Sequence, residues 1–508
     1  MKQSLIHLTA LLLASLGVVH AADKPAIVTT PNIVFIMADD LGYGDLGCYG
    51  ATKVKTPHVD RLASQGLRFT DGHSSAGTCT PSRYSFVTGE YAFRNRNTGI
   101  ASGVDGLIIE PGRVTVPSLL KRAGYATGIV GKWHLGLGTT PTDYNGEIKP
   151  GPLEIGFDYA WIIPATGDRT PCVWVEGHRV VNLDPADPIN LDYRVKRGEP
   201  RSFINGIPRI GEQTGGKAAL WDDENMSTVI AAKSCEFIEQ HKDRRFFLKV
   251  STHNIHVPRA PNPKFRGTSE CGVRGDAIVE FDWTVGQILE TLDRLKLADD
   301  TLVILTSDNG GVLDNNGPDT VHGIGSKEAN NGHLLNGALR GTKGSVYEGG
   351  TRLPFIARWP GHVRTGVSDE LICQVDMLAS FAALTGQPLA PADGPDSLNV
   401  LPALLGESCE KPCREYLVEQ NNDASWVGLR KGPWKLLPEA NAQGKRYLPL
   451  SDRPAEAVAK KVSLYNLTDD LSETKDIAAA HPEIVAEMSA KLDEIWKGGK
   501  KKETAGTK

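Results

Sequence analysis

Apolar runs of strand length alternate with stretches of helical periodicity through the first two thirds of the chain. Asn32-Ile33-Val34-Phe35-Ile36-Met37 is a continuous apolar run, the pattern of a strand buried on both faces. Tyr125 to Val130, Phe246 to Val250 and Leu302 to Thr306 repeat it. Between them, Thr56-Pro57 opens a helix with a capping hydroxyl and a proline at its first position, and Gly66 should end it. Val116 to Ala123 predicts a second helix, stopped by Gly124, and Met226 to His241 a third. Ile278, Val285, Ile288, Leu289, Leu292 and Leu295 recur at three- and four-residue spacing and mark an amphipathic helix. This alternation predicts an α/β fold, a large mixed, mostly parallel sheet sandwiched by helices.

From about Glu415 the texture changes. Trp426 to Leu437 carries a hairpin signal around Lys431-Gly432-Pro433, and Leu464-Tyr465-Asn466-Leu467 is another short strand. A final helix is expected from Pro482 to Trp496. The expected organisation is a main domain over 22–414, a smaller C-terminal α+β subdomain of antiparallel strands and one helix over 415–498, and a disordered lysine-rich tail at 499–508.

The first residues read as an export signal. Lys2 precedes an apolar run from Leu8 to Val19 that is too short to span a bilayer comfortably. Val19-His20-Ala21 offers a cleavage site, so residues 1–21 are expected to be a signal peptide. Nothing later is apolar for long enough to cross a membrane, so the product should be exported, either periplasmic or secreted. Lys and Arg total 56 against 61 Asp and Glu, a mildly acidic balance that disfavours a nucleic-acid partner. The eight cysteines are Cys48, Cys79, Cys172, Cys235, Cys271, Cys373, Cys409 and Cys413. Export permits disulfides, but spacing does not give their pairing. No C-x-x-C pair suggests a zinc site.

Polar constellations follow the expected strands. Asp39-Asp40 follows the first, Lys132-Trp133-His134 the second, His253 and His256 the third, and Asp308-Asn309 the fourth. In an open α/β sheet the carboxyl ends of the strands form the ligand crevice, so these four segments should meet at one edge. Asp39, Asp40, Asp308 and Asn309 offer only oxygen donors, which suits calcium or magnesium and disfavours zinc. Gly42 and Gly44 should let the backbone turn so that both aspartates face one point. Taken singly, Asp-Asp and Asp-Asn-Gly are ordinary turn or cap sequences; their shared placement is what sets them apart. The stretch from Gly310 to Gly344 is too long for a plain connection and is expected to be functional or mobile.

The most specific motif is Cys79-Thr80-Pro81-Ser82-Arg83. With Asp39-Asp40, Gly131-Lys132-Trp133-His134, His253-x-x-His256-x-Pro258, Ser307-Asp308-Asn309-Gly310 and Lys343 before Tyr347-Glu348-Gly349-Gly350, it makes the chain resemble the type I, formylglycine-dependent sulfatases of the alkaline phosphatase superfamily. The resemblance runs from Pro31 to the last helix. It implies an alkaline phosphatase-like fold, a calcium ion ahead of magnesium, and oxidation of Cys79 to formylglycine (3-oxoalanine) by a formylglycine-generating enzyme. Residue 79 would join Asp39, Asp40, Asp308 and Asn309 at the metal, and seven cysteines would remain. Pro81 and Ser82 suit a helix entry, which places residue 79 at a helix N-terminus, where anions are favoured.

The resemblance also assigns roles. The hydrated aldehyde at residue 79 would attack sulfur, with Arg83 steadying it. Lys132 and Lys343 would hold the sulfate oxygens. His256 would protonate the leaving alcohol, as its His-x-Pro setting implies, and His134 would help the second hydroxyl of residue 79 expel sulfate. His253, Arg94 and Arg96 are expected to contact substrate. The texture of Cys79 to Tyr84, of Arg94 and Arg96, and of Gly341-Thr342-Lys343-Gly344 is similar to the N-acetylgalactosamine-6-sulfatase and galactose-6-sulfatase group. That implies a sulfated carbohydrate partner, a 6-O-sulfated galactose or N-acetylgalactosamine of mucin or glycosaminoglycan. Arg194, Lys196, Arg197 and Arg201 form a basic cluster that fits either a polyanionic glycan or a solvated loop. The chain departs from the family at Phe86-Val87-Thr88-Gly89-Glu90, where an arginine usually stands in place of Glu90. Two other readings stay open: a phosphodiesterase or phosphonate monoester hydrolase of the same superfamily, and a non-catalytic binder of sulfated glycans in which Cys79 is never oxidised.

Overall fold

The computed structural model describes residues 30–95, 98–313, 329–440, 446–452 and 462–498. The export segment, Arg96, part of the Gly310–Gly344 stretch and the tail at 499–508 lie outside the described residues. Among the described residues no helix is long and apolar enough to cross a membrane.

A ten-stranded sheet is built from β1 (Asn32–Ala38), β2 (Leu67–Phe69), β3 (Ala126–Lys132), β4 (Tyr159–Ile163), β5 (Val175–Glu176), β6 (Arg179–Val180), β7 (Phe246–Ser251), β8 (Thr301–Ser307), β9 (Phe355–Arg358) and β10 (Gly366–Ser368). Their order across the sheet is β10-β2-β9-β8-β1-β7-β3-β4-β5-β6. The central run from β8 to β4 is parallel, and β9 and β5 pair antiparallel to it at either side. The mixed, mostly parallel sheet expected from the sequence is therefore present.

The continuous apolar run of β1 has the reason anticipated for it. Ile33, Phe35 and Met37 enter one hydrophobic core, while Val34, Ile36 and Ala38 enter the other. Helices α2 (Cys79–Thr88), α3 (Val116–Arg122) and α7 (Met377–Thr385) cover the first face through Phe86, Leu119 and Phe381. Helices α1 (Pro57–Ser64), α4 (Met226–Gln240) and α5 (Gly272–Arg294) cover the second through Leu62, Ile230 and Ile278.

Local details differ from the sequence expectation. Thr56 does not cap α1. Its hydroxyl accepts the Gly47 N–H at 2.8 Å and donates to Asp60 at 3.2 Å, tying the preceding turn to the helix. The capping box lies instead at α3, where Thr115 and Ser118 bond reciprocally. The second apolar strand, β3, extends through Lys132, so this lysine belongs to the sheet.

The C-terminal part forms a second, four-stranded antiparallel sheet of β11 (Tyr416–Gln420), β12 (Val427–Lys431), β13 (Trp434–Pro438) and β14 (Val462–Asn466). Gly432 turns the β12–β13 hairpin with φ of 50°. The last helix, α9, spans Pro482–Gly498 and packs Met488, Leu492 and Trp496 on this sheet. A buried ion network joins the sheet to α6 (Glu348–Thr351). Lys435 bonds Glu348 at 2.7 Å and Glu419 at 2.9 Å, and Arg430 reaches Asp71 at 2.9 Å and Glu348 at 3.1 Å. His73 sits between Asp71 and Glu419 at 2.8 and 2.9 Å. Asp71, His73 and Glu348 could geometrically hold a metal. Because Arg430, Lys435 and Arg352 already take their oxygens, the group is an ion-pair network.

Lys435→Met would strand Glu348 and Glu419 with too little positive charge in the interior. Breaking a buried pair costs about 3–5 kcal/mol. Urea denaturation should show a loss of that size, with the C-terminal sheet affected first in hydrogen exchange.

Candidate active site

The sheet register brings the polar segments together. Ala38 lies beside Ser307, Met37 beside Ser251, and Ser251 beside Gly131, so the four parallel strands end level with one another. Asp39, Asp40, Asp308 and Asn309 leave these strand ends and are all fully buried. Asp308 Oδ1 accepts the Asp40 N–H at 3.2 Å, and Asn309 donates to Asp40 Oδ1 at 2.8 Å. The turn that joins the two aspartates is made by Asp40 itself, which has φ of 64°. Gly42 and Gly44 serve a different purpose from the one expected. A Cβ on either would meet the carbonyl oxygens of Leu335 or Leu334 at 2.2 and 2.3 Å. They let the 334–337 segment lie against the aspartate turn, where the Gly44 N–H donates to Leu335 O at 2.7 Å.

Cys79 is the first residue of α2 and is 1% exposed. Arg83, one turn on, is buried and donates to Asp308 Oδ2 from Nε at 3.0 Å and from Nη2 at 2.7 Å. Lys132 Nζ bonds Asp39 Oδ2 at 2.6 Å, and Lys343 Nζ bonds Asp40 at 2.8–2.9 Å. Three buried carboxylates are thus each met by one buried cation. The Cys79 sulfur lies within electrostatic reach of both Arg83 and Lys343. Burial, which would raise the Asp40 carboxyl, is outweighed by Lys343 and Lys132, and Asp40 is held below the usual range. Asp39 differs: burial, aided by Asp308 and Asp40, pushes it up to about 8 despite its contact with Lys132.

These residues fit a hard cation. Asp39 Oδ1 and Asn309 Oδ1 are buried with no hydrogen-bond partner. Such orphaned acceptors are costly unless something electropositive meets them. A cation also removes the reason for Asp39 to bind a proton.

Two histidines flank the group. His134 has φ of 57°, and its Nε2 faces the Ala101 carbonyl at 2.9 Å. That contact puts the proton on Nε2 and leaves Nδ1, buried and unpartnered, as a free lone pair. Burial, with Lys132 and Arg169, holds His134 well below the usual histidine range. His256 donates from Nδ1 to Val257 O at 2.6 Å, and its Nε2 points toward Asp40 at 3.9 Å. Burial, Lys343 and Lys132 hold His256 low as well. His253 stands beside it, ring centroids 6.1 Å apart, with an unpartnered Nδ1. Arg259 ties this histidine loop to the fourth strand's loop by donating to Ile255 O, Val312 O and Leu313 O at 2.8–3.1 Å.

One expected contact is corrected. All three Arg94 nitrogens are engaged, with Asp396 at 2.7 and 2.6 Å and with Ile495 O at 3.1 Å. Arg94 is a clamp to the last helix in place of a sugar contact. Glu90, which stands where the family has arginine, pairs with Arg113 at 2.7 Å and accepts from Tyr84 at 2.8 Å. In the basic cluster, Arg194 is paired with Asp192 and Arg201 with Glu212.

The sequence reading missed Asp168 and Arg169. They follow β4, the next parallel strand, and so reach the same edge of the sheet. Burial, which would raise Asp168, is outweighed by Arg169 and His256, while Arg169 lowers His134. Asp168 thus lies within electrostatic reach of His256, and Arg169 within reach of His134. A Cβ at Gly167 would meet the His253 ring at 2.5 Å, so glycine is required for this packing. The signal available was position after an apolar strand, but Tyr159–Ile163 is short and was not singled out.

Fold and site together place Cys79, at a helix N-terminus, with buried oxygen donors and buried cations at one edge of a mostly parallel α/β sheet. The chain belongs to the sulfatase family, whose profile it matches over residues 31–387. It is 47% identical over 485 residues to an N-acetylgalactosamine-6-O-sulfatase of Bacteroides thetaiotaomicron, covering 92% of this chain and 93% of that protein. Human arylsulfatase A is 34% identical over 479 residues, covering 91% and 86%. A solved structure from work on glycosaminoglycan metabolism by Bacteroides thetaiotaomicron superposes with a TM-score of 0.85 at 46% identity, covering 92% and 99%. A sulfatase of Pseudoalteromonas sp. shares the fold at a TM-score of 0.69 and 23% identity, covering 93% and 92%. The chain is a sulfuric ester hydrolase.

Arg94→Ala tests the corrected role. Turnover of a sulfate ester should stay within about threefold of wild type. Stability should drop by about 3 kcal/mol, because the buried Asp396 loses its partner.

Proposed function

We propose that residue 79 is oxidised to formylglycine by a maturation enzyme, and that the exported protein removes 6-O-sulfate from galactose or N-acetylgalactosamine in mucin or glycosaminoglycan chains. The observation that carries this reading is the meeting of Cys79, at the N-terminus of α2, with four oxygen-donor side chains and the buried cations Arg83, Lys132 and Lys343. The 47% identity to an N-acetylgalactosamine-6-O-sulfatase supports the sugar and position.

Asp39, Asp40, Asp308 and Asn309, with the oxygen of the modified residue 79, would hold a calcium ion. The donors are carboxylates and an amide, the all-oxygen set that hard divalent cations take. When bound, the cation acidifies the attacking hydroxyl and offsets charge on the sulfate. The hydrated aldehyde supplies two hydroxyls, so a second attack at sulfur is unnecessary. Arg83, fixed by Asp308, steadies the side chain of residue 79. Lys132 and Lys343 turn from their aspartates toward the sulfate oxygens and stabilise the charge that builds there. His134 takes the second hydroxyl's proton on its free Nδ1. His256 delivers the proton to the leaving alcohol from Nε2, since Nδ1 is committed to Val257 O, once the negative charge of a bound sulfate offsets Lys343 and Lys132 and raises it from its low resting value. Asp168, Arg169 and His253 lie close to this group and carry polar atoms suited to sugar hydroxyls.

Two measurements test the reading. Mass spectrometry of the peptide containing residue 79 should show the aldehyde or its hydrate. A panel of sulfated monosaccharides should then release sulfate fastest from the 6-O-sulfated galacto sugars. An unmodified thiol, or faster turnover of phosphate esters, would sink it. His256→Ala should lower kcat on a sugar sulfate by about 10²–10⁴-fold. On an activated aryl sulfate the loss should be far smaller, because a phenolate leaves without a proton.

A further inference from the structure

All eight cysteines are free thiols. Cys409 and Cys413 bring their Sγ atoms to 3.4 Å of one another. We propose that these two thiols form an intrachain disulfide once the chain is exported, a step that rests on the export reading above. Both residues are half-buried, so an oxidant can reach them. Residues 407–415 form neither helix nor strand, so the backbone can give the small movement needed to bring the sulfurs to a bond length of about 2.05 Å. Among the described residues no histidine or carboxylate joins these sulfurs in a metal-binding group, which sets the pair apart from a zinc site.

The chemistry is an ordinary exchange. The Cys409 thiolate attacks the disulfide of a thiol oxidant of the export compartment and forms a mixed disulfide. The Cys413 sulfur then displaces the oxidant's thiolate and closes the intrachain bond. Two electrons and two protons pass to the oxidant, which leaves as a dithiol.

The location gives the bond a purpose. The turn connects α8 (Leu401–Leu405) to β11, the first strand of the C-terminal sheet. The next residue, Arg414, is buried and bonds Asp376 at 2.8 Å, Asp396 O at 2.7 Å, Tyr416 O at 2.8 Å and Tyr91 Oη at 3.1 Å. A disulfide across 409–413 would fix the turn that delivers this guanidinium to the seam between the main sheet's helices and the C-terminal sheet. It would also remove two half-buried thiols from exchange.

The test uses the full chain purified from the export compartment without reductant. Free thiols are alkylated, and the protein is cut after glutamate. Cleavage at Glu410 separates the two cysteines, so a disulfide leaves their fragments joined and unalkylated. The expected result is the joined fragment. Reductant should also lower the Tm of the wild type and leave that of Cys413→Ser unchanged. Alkylation at both positions, or an equal Tm shift in both proteins, would overturn the proposal. Sulfatase activity from a protein alkylated at both positions would sink the disulfide alone. A joined fragment without such activity would sink the functional reading alone.

Discussion

Three buried carboxylates at one edge of a parallel sheet are the constraint around which this protein is organised. Asp39, Asp40 and Asp308 have no access to solvent. Two like charges 4 Å apart repel by about 4 kcal/mol at an effective dielectric of 20. The structure answers with Lys132 from the neighbouring strand, Arg83 from α2 and Lys343 from the long loop after β8, one for each carboxylate. This one-to-one pairing keeps the carboxylates and the cations ordered in the interior.

This arrangement spreads its demands over the whole chain. Asp40 and His134 occupy left-handed backbone conformations, a cost of order 1–3 kcal/mol each that only surrounding structure can sustain. The segment bearing Lys343 leads into Tyr347 and α6, whose Glu348 is held from the other side by Lys435 and Arg430 of the C-terminal sheet. The smaller sheet thus supports the loop that carries Lys343 to Asp40. Arg94 and Arg414 add two further buried ties across the same seam.

Much of this was legible in advance because the signals were local. The central strands are long apolar runs, and the residues that follow each run had to emerge at one edge. The motif around Cys79 carried its helix entry in Pro81 and Ser82, and α2 begins at residue 79. Misreadings arose where side chains chose distant partners. Thr56 looked like a cap and instead bonds Gly47 and Asp60. Arg94, expected to contact substrate, bonds Asp396, some three hundred residues away in the chain. Asp168 and Arg169 carried no motif, and only the place of β4 beside β3 brings them near His134 and His256.

By itself, then, the sequence determined the layered α/β architecture, the family, and the set of oxygen donors, cations and histidines available for chemistry. Periodicity and short motifs depend on neighbours within a few residues, which a linear chain displays directly. Tertiary structure decided which cation meets which carboxylate, which nitrogen of His134 is free, and which arginines are structural. Those outcomes depend on strand register, burial and long-range hydrogen bonds, which exist only once distant segments have packed against one another.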